Sequence, residues 1–381
     1  MPIQSVVAEC VADALRALPK AAFQVRVIQT ADHQVPSLTP QKHHTSHFYS
    51  TTTFGRRLLV IISQNDTMVA ALEAHEFTTV VAEITPPTTS VTVDACIEKL
   101  DTSGALAERM PLARALVGGY AASLRRYMGV GTRPNITLSL FARAQPEYLF
   151  ARSQLNAAKR ILDDLGLIKW WMLTLQFAIT CSLSHTAVAH CIVPGLDVSE
   201  APWFRQFANQ HSAWRWGTQH PLEARAHDCV AQFPDDPMAR LLAKEHTDKW
   251  TVRMLLDMLA VSEECGAGRR AAYFSVQLEG LPEGGSPDAD QGTLSLDDFD
   301  RVLVALFDGE MDFSGREAAR VSTRKFIDFV DTNSLDPAGP IVAASTGAAH
   351  AVPAPAAPAA HAAPPVNDLT MVIRKKRKVA K

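Results

Sequence analysis

The sequence predicts a single mixed α/β (α+β) domain, with a central mixed sheet flanked by helices. Three observations predict it. Apolar, β-branched runs alternate irregularly with helical stripes, no internal repeat sets a solenoid period, and a 381-residue chain that is 47% hydrophobic and 20% charged can bury one large core.

The elements follow in order. MPIQSVVAECVADALRALP spaces its apolar residues as an amphipathic helix and lacks the basic-then-apolar order of a secretory signal. RRLLVIIS (56–63) is a buried strand, followed by the β-branched MVAALEAHEFTTVVAEI (68–84) and by SVTVDACIEKLDTSG (90–104), which runs from strand into loop. PLARALVGGYAASLRRYMG (111–129) is a helix with an apolar stripe that ends in glycine. ITLSLFARAQ (136–145) alternates as a half-buried strand does. Two helices follow, 153–182 with a break and 247–265, then the strand YFSVQL and a closing helix over 315–330. EGLPEGGSPDADQGTLSLDD (279–298) reads as a flexible acidic insert. The folded domain is expected to span 1–333, with an Ala/Pro-rich disordered linker over 334–370 and a basic tail over 371–381.

Charge is unevenly placed. The formal net charge is −3, yet MVIRKKRKVAK holds six basic residues and no acid, so the rest carries 31 basic against 40 acidic residues, net −9. An acidic body suits a basic partner better than it suits DNA, and RKKRK has the composition of a nuclear-localisation signal. Cys10, Cys96, Cys181, Cys191, Cys229 and Cys265 show no paired spacing, which points to a reducing compartment. No apolar run is long enough to span a bilayer.

Phosphate-loop, dinucleotide, nucleophile-elbow and HExxH signatures are absent. CSLSHTAVAHC brings Cys181, His185, His190 and Cys191 close in sequence. Cys191 directly follows His190 and cannot join the face shared by Cys181 and His185, so core residues are favoured over zinc and no metal is expected. LDTSG (100–104) sets an acid, two hydroxyls and a glycine between a strand and a helix, whose N-terminus offers N–H donors to a phosphate-bearing ligand. KRILDDLGLIKWW (159–171) puts Lys159 and Arg160 ahead of Trp170 and Trp171, a pair of indoles that either joins the core or walls an apolar, phosphate-tailed ligand. FPDDP (233–237) is a stiff turn, because Pro234 and Pro237 fix φ around Asp235 and Asp236; such turns are ordinarily punctuation.

Taken in order, LDTSG, QPEYLF, ILDDLGLIKWW, FPDDPMAR and FSGREAARVSTRKFIDF resemble the fungal-specific histone H3 acetyltransferases of the regulator-of-Ty-transposition type. The resemblance runs from about residue 56 to about 329, with little secure match between Pro194 and Gln232 apart from WRWG. LDTSG, its following helix and ILDDLGLIKWW are also distantly similar to CBP-type acetyltransferases, which implies that fold.

The resemblance implies transfer of acetyl from acetyl-CoA to a lysine amine of histone H3. Leu100, Asp101 and Thr102 match the loop beside the acetyl and pantetheine portion. Met110, Pro111, Leu112 and Ala113 match the pyrophosphate region, Ile161, Leu162 and Trp170 the cofactor walls, and Arg240 a basic residue near the site. Asp236 matches the base or proton relay, with Asp235 capping the next helix. Tyr148 and Trp171 match the lysine channel, and Asp101 also belongs to the catalytic set. A lysine ammonium must lose its proton before it can attack, and a carboxylate on a rigid turn can take it. No cysteine matches a nucleophile, so direct transfer is implied. One departure stands out: the family places a self-acetylated lysine where this chain has Met238. Implied partners are histone H3 with histone H4 and histone chaperones including a NAP-family type, in the nucleus, in chromatin assembly, DNA replication and the DNA-damage response, without a membrane or sequence-specific DNA. Two other readings stay open: a catalytically impaired chromatin adaptor of the same fold, and a small-molecule N-acyltransferase.

Overall fold

The computed structural model describes residues 3–18, 22–39, 49–84, 87–106, 108, 110–127, 134–181, 186–263, 265, 269–281 and 292–344. These residues belong to one compact unit spanning Met1–Gly347. Its strands are β1 Ala22–Gln29, β2 His33–Val35, β3 Tyr49–Gln64, β4 Thr67–Ile84, β5 Pro87–Thr102, β6 Asn135–Arg143, β7 Val188–Ile192, β8 Trp214–Trp216, β9 Ala271–Glu279 and β10 Ile341–Ala344. They form one sheet in the order β10-β1-β3-β4-β5-β6-β9-β7-β8, with β2 also on β3. The pairs β5–β6 and β7–β8 are parallel and the others antiparallel, so the sheet is mixed as expected.

Long antiparallel β3, β4 and β5 form the backbone of the sheet. Asn65 and Asp66 join β3 to β4 at φ 48° and 57°, the left-handed pair that a tight hairpin needs and that Asn and Asp tolerate best. Alternation then divides the side chains between two faces. One face lies under the helices α1 Ile3–Arg16, α2 Leu112–Tyr127 and α3 Asp164–Cys181, where Val11, Leu15, Leu116 and Tyr120 pack on Leu58, Leu72 and Ile97. The short α4 Pro202–Gln210 adds Phe204 to this core. The other face carries α8 Leu296–Leu306 and α9 Arg316–Thr332, whose Phe299 and Phe326 join Phe313 over Leu59, Ile61 and Ala71. Each such buried phenylalanine contributes about 1.5–3 kcal/mol. A smaller cluster joins α5 Ala226–Cys229, α6 Pro237–Leu242 and α7 Val252–Ala260 to Phe141 and Tyr273.

Two expected boundaries move. The domain does not stop at 333, because Ile341–Ala344 adds an edge strand that pairs Ala22–Val25 in antiparallel register. The insert at 279–298 is ordered from Gly292 onward: Leu294 exchanges backbone hydrogen bonds with Gln29 and Ala31, and the Ser295 hydroxyl caps α8. Glu279 ends β9, and Gly280 and Leu281 donate to Pro134 O and Arg125 O; residues 282–291, the remainder of the linker and the basic tail lie outside the described residues. The expected helix over 153–182 is a 3₁₀ turn, Ser153–Leu155, then an irregular stretch before α3, and the one over 247–265 shortens to α7, capped by Thr251.

Helices α1 and α2 approach so closely that a Cβ on Gly119 would sit 2.5 Å from Val11 Cα and 2.8 Å from Cys10 O. Backbone cannot yield as a flexible side chain can. Gly119→Ala is therefore expected to destabilise the fold by about 1–3 kcal/mol despite its better helix propensity; urea unfolding with an unchanged or higher midpoint would contradict this packing.

Candidate active site

Strands β5 and β6 pair only from Thr92/Asn135 to Ile97/Leu140. Beyond that point β5 stays with β4 to Thr102 and β6 stays with β9 to Arg143, with an irregularity in the β4–β5 register where Glu98 is the extra residue. The two parallel strands therefore part, and a wedge opens between Leu100–Thr102 and the segment that follows β6.

LDTSG closes the root of this wedge. Asp101 is 5% exposed. Its Oδ2 accepts from the backbone N–H groups of Tyr148, Leu149 and Phe150 at 2.9, 3.0 and 3.2 Å. Its Oδ1 accepts from Thr102 N at 2.8 Å and from Lys159 Nζ at 2.7 Å. Lys159 Nζ also donates to Ser153 Oγ at 2.6 Å. Ser103 is fully buried and donates to Met68 O at 2.7 Å, while Asn156 Nδ2 donates to Ser103 O at 3.1 Å. Gly104 has φ +76°, and a Cβ there would lie 2.9 Å from both Lys159 N and Lys159 Cβ. Asp101 is thus saturated and positions the 148–150 segment, and Lys159 is its buried counter-ion, not a phosphate ligand.

Tyr148 is likewise committed locally. Its hydroxyl donates to Arg143 O at 2.7 Å and accepts from Gln145 N at 3.0 Å, and burial, before any other cause, raises its pKa. Trp170 and Trp171 meet edge to face with centroids 5.0 Å apart. Trp171 is buried in the core, whereas Trp170, Leu162, Leu100 and Met110 pack on that core half-exposed, and Ile161 is exposed. Trp171 thus joins the core, while Trp170 keeps part of its ring at the surface. Leu112 and Ala113 turn their side chains inward at the start of α2, and Pro111 has no N–H. What this helix end can offer a ligand is backbone N–H groups, with no acidic residue in its first turn to compete.

Asp236 belongs to a separate group on the face that also carries Asp101. Its Oδ1 accepts from Met238 N at 3.3 Å, so Asp236 caps α6. Asp235, expected to be the cap, instead adopts φ 56° and pairs through solvent-exposed Oδ1 with Arg240 at 3.3 Å. The reason is Pro237 at the first helical position, which makes the preceding residue the cap. Arg240 accordingly lies beside the turn, paired with Asp235. Asp236 Oδ2 is buried without a hydrogen-bond partner. Burial raises its pKa to about 7, against the lowering pull of the Met238 and Ala239 N–H groups and of Arg240. Cys96 and Tyr273 lie close enough that burial first, and the Asp236 charge second, push both of their pKa values up. Tyr273 donates to Ser139 Oγ at 3.2 Å. Met238 is 2% exposed and fills the small core beside Leu241 and Leu242 as an uncharged chain. Cys96 and Tyr273 carried no motif; only strand alternation could have placed them on this face.

Of the zinc-like group, Cys191 is buried in β7 with neighbouring His190 on the other face, Cys181 ends α3 exposed, and His185 lies outside the described residues.

Comparison with known proteins gives this mixed sheet and its flanking helices a family. The crystal structure of Rtt109 from Aspergillus fumigatus superposes with a TM-score of 0.66 at 21% identity, covering 89% of this chain and 98% of that one, which establishes a shared fold. The family model of the histone acetyltransferase KAT11-type domain matches residues 120–314, just over half of the chain. The chain belongs to the KAT11-type histone acetyltransferase domain family. It is similar to "Histone acetyltransferase rtt109" of Aspergillus flavus, 29% identical over 47% of this chain and 41% of that protein. It also matches the Schizosaccharomyces pombe protein of the same name, 30% identical over 38% of this chain and 42% of the relative. The chain thus spans under half the length of these relatives. The family match includes Tyr148, Trp170, Trp171 and Asp236 but begins after LDTSG.

Two outcomes follow from the two carboxylates. Asp101→Ala leaves a buried ammonium and four amides without their acceptor, so it should cost about 3–5 kcal/mol of stability; a purely chemical role for Asp101 would leave the urea midpoint in place. Asp236 is ionised near pH 4 and above in the unfolded chain but holds its proton to about pH 7 in the fold. Its contribution to stability is thus fully present below pH 4 and is lost as pH rises through 7, on the order of a few kcal/mol. Asp236→Asn should flatten that part of the stability profile and melt higher than the parent at pH 8; parallel profiles for the two proteins would refute the raised pKa.

Proposed function

We propose that this chain transfers acetyl from acetyl-CoA to the side-chain amine of lysine in histone H3. The observation that carries the proposal is Asp236: a buried carboxyl on a proline-fixed turn, with a pKa of about 7 and one oxygen lacking a donor. A base is most effective when its pKa matches the working pH, and such an oxygen is built to receive a proton-bearing group. Acetyl-CoA supplies the activated acetyl group. The residues fit it: half-exposed Leu100, Leu162 and Trp170 offer an apolar wall, and the N-terminus of α2, with no first-turn acid, offers N–H groups suited to the anionic part.

In this reading the residues divide their labour. Asp101 holds the Tyr148–Phe150 segment at the root of the wedge, and Trp171 stiffens the wall from inside. The incoming lysine ammonium gives its proton to Asp236, directly or through a bridging water, and the neutral amine is then competent to attack. Asp236 is enclosed in the resting fold, so the donor must displace local packing to reach Oδ2, which suits a relay as well as a direct base. Buried Met238 makes the turn's environment neutral where the family's lysine would add a charge, so self-acetylation at this position is not part of the proposal. Histone H4, histone chaperones of the NAP type and the nucleus complete the proposed setting; they are supported by the acidic body and the basic terminal cluster, and by the relatives' names only as to histone acetylation.

Asp236→Asn tests the reading. The substitution preserves volume and the cap's acceptor, so the protein should fold, while kcat at neutral pH should fall by about a hundredfold or more. Part of the loss should return at high pH, where solvent deprotonates the amine. Wild-type turnover by the folded variant between pH 6 and 9 in a histone H3 acetylation assay would remove Asp236 from the chemistry.

A further inference from the structure

On the face of the sheet away from α1–α3, a polar row crosses five strands. Cys96 on β5, Ser139 on β6, Ser275 on β9, His190 on β7 and Arg215 on β8 stand directly opposite one another in the strand registers. Opposed residues share a face, so the five side chains line up across the sheet. On the other face the flanking positions Leu138, Leu140, Phe274, Val276 and Cys191 are apolar and belong to the main core. Burial falls along the row. Ser139 and Ser275 are buried, His190 is intermediate, and Arg215, on the strand that ends the sheet, is exposed. The row thus leads from the interior to the surface.

Two of its atoms are uncommitted. Ser275 Oγ and His190 Nδ1 are buried without a hydrogen-bond partner among the described residues. Such an atom costs about 1–3 kcal/mol, which an aliphatic side chain in its place would avoid. Directly opposed residues have Cβ atoms about 4.5–5.5 Å apart, so rotation of the Ser275 side chain brings its hydroxyl toward either neighbour. The inner end is already linked to the candidate site. Tyr273 donates to Ser139 Oγ at 3.2 Å, and its ring packs on the small cluster that holds Met238. The helix of that cluster begins directly after Asp236, whose charge acts on both Tyr273 and Cys96. At the outer end burial, and then the Arg215 charge, lowers the pKa of His190. The ring is therefore neutral at neutral pH, with a proton on one nitrogen and a lone pair on the other.

We infer that Tyr273, Ser139, Ser275 and His190 carry the proton collected by Asp236 out to solvent at the β7–β8 edge between turnovers. The inference rests on the proposed role of Asp236. Transfer of acetyl from a thioester to a lysine ammonium forms one amide bond and breaks one C–S bond. The thiolate takes one proton from the nitrogen, and one proton is left over. Asp236 is 8% exposed, so the proton it holds needs a route out. Its carboxyl gives that proton to the Tyr273 oxygen, directly or through one water, as the Tyr273 hydroxyl passes its own to Ser139. Ser139 passes one to Ser275, Ser275 one to His190 Nδ1, and His190 Nε2 releases one to water. One proton enters and one leaves, and the Asp236 carboxylate is restored. No tyrosinate forms, in keeping with the burial that raises the pKa of Tyr273. These four are positioning residues for a proton and touch neither histone nor cofactor.

The test uses the full chain with histone H3 and acetyl-CoA at neutral pH, and reads the first turnover by rapid quench apart from the steady state. Ser275→Ala deletes an unpaired hydroxyl, so its urea midpoint should hold or rise. Its first turnover should keep the parent rate, because that step needs only an ionised Asp236. Its KM should also hold, while steady-state kcat falls by about tenfold or more. His190→Gln, which keeps polarity but cannot shuttle a proton, should behave alike. Ser275→Thr restores the hydroxyl and should restore kcat. A packing defect would slow the first turnover as well, and threonine would not mend it. Should His190→Gln fold poorly, Tyr273→Phe removes only a hydroxyl and reads the same step from the inner end. Parent kcat in folded Ser275→Ala, or a loss shared equally by first turnover and steady state, overturns the relay. An inactive Asp236→Asn beside a fully active Ser275→Ala removes the relay alone, whereas a parent chain that transfers no acetyl removes the relay together with the reading on which it rests.

Discussion

The carboxylate of Asp101 is the interaction on which the candidate site depends. Two parallel strands that part lose their ladder hydrogen bonds, and the segment after β6 must find other acceptors for its amides. Asp101 takes three consecutive ones on a single oxygen and a buried ammonium on the other. This replaces a length of sheet by one side chain. Its neighbours exist to make the substitution possible: Ser103 anchors the loop to β4, and Gly104 supplies a backbone conformation and a clearance that no other residue allows. A polar cluster of this kind is stable only when every member is paired, which is why the acid, the lysine and the glycine act as one unit.

Asp236 illustrates the opposite use of the same functional group. Asp101 is buried and satisfied on both oxygens; Asp236 is buried and satisfied on one. The difference in hydrogen bonding separates a carboxylate that holds structure from one whose protonation is adjustable near neutrality. Both project from or onto a single face of β5, at Asp101 and over Cys96, roughly 15 Å apart along the strand. The proline-fixed turn lets a residue with an unpaired oxygen stay in place, because its backbone cannot relax to seek a partner.

Much of the architecture could be read from the chain. The β-branched runs of β3 and β4 and the stripes of α1, α2 and α9 appear where periodicity puts them, because long elements average over many residues. Short elements escaped: β7, β8 and α6 hold too few residues to show a period, and Ile341–Ala344 is hidden in an Ala/Pro-rich context. The site residues were legible as a set and less so in their roles. LDTSG was visible, but that Asp101 spends its oxygens on Tyr148–Phe150 and Lys159 depends on partners 47 to 58 positions away. The exchange of roles between Asp235 and Asp236 was available locally, since a proline opening a helix makes its predecessor the cap.

The strand Ile341–Ala344 gives the chain's later residues a protective task. Without it β1 would be the outer strand of the sheet, and Phe23, Val25 and Val27 would flank a row of unpaired N–H and C=O groups. An exposed apolar edge of this kind is a template for intermolecular pairing. The Arg26–Asp336 ion pair, 2.6 Å long, pins the approach to that strand just before it reaches the edge. A cleavage between α9 and β10 would leave every candidate site residue in the larger fragment and yet exchange a four-residue edge strand for the longer, more apolar edge of β1, so the C-terminal segment bears on the domain's tendency to self-associate.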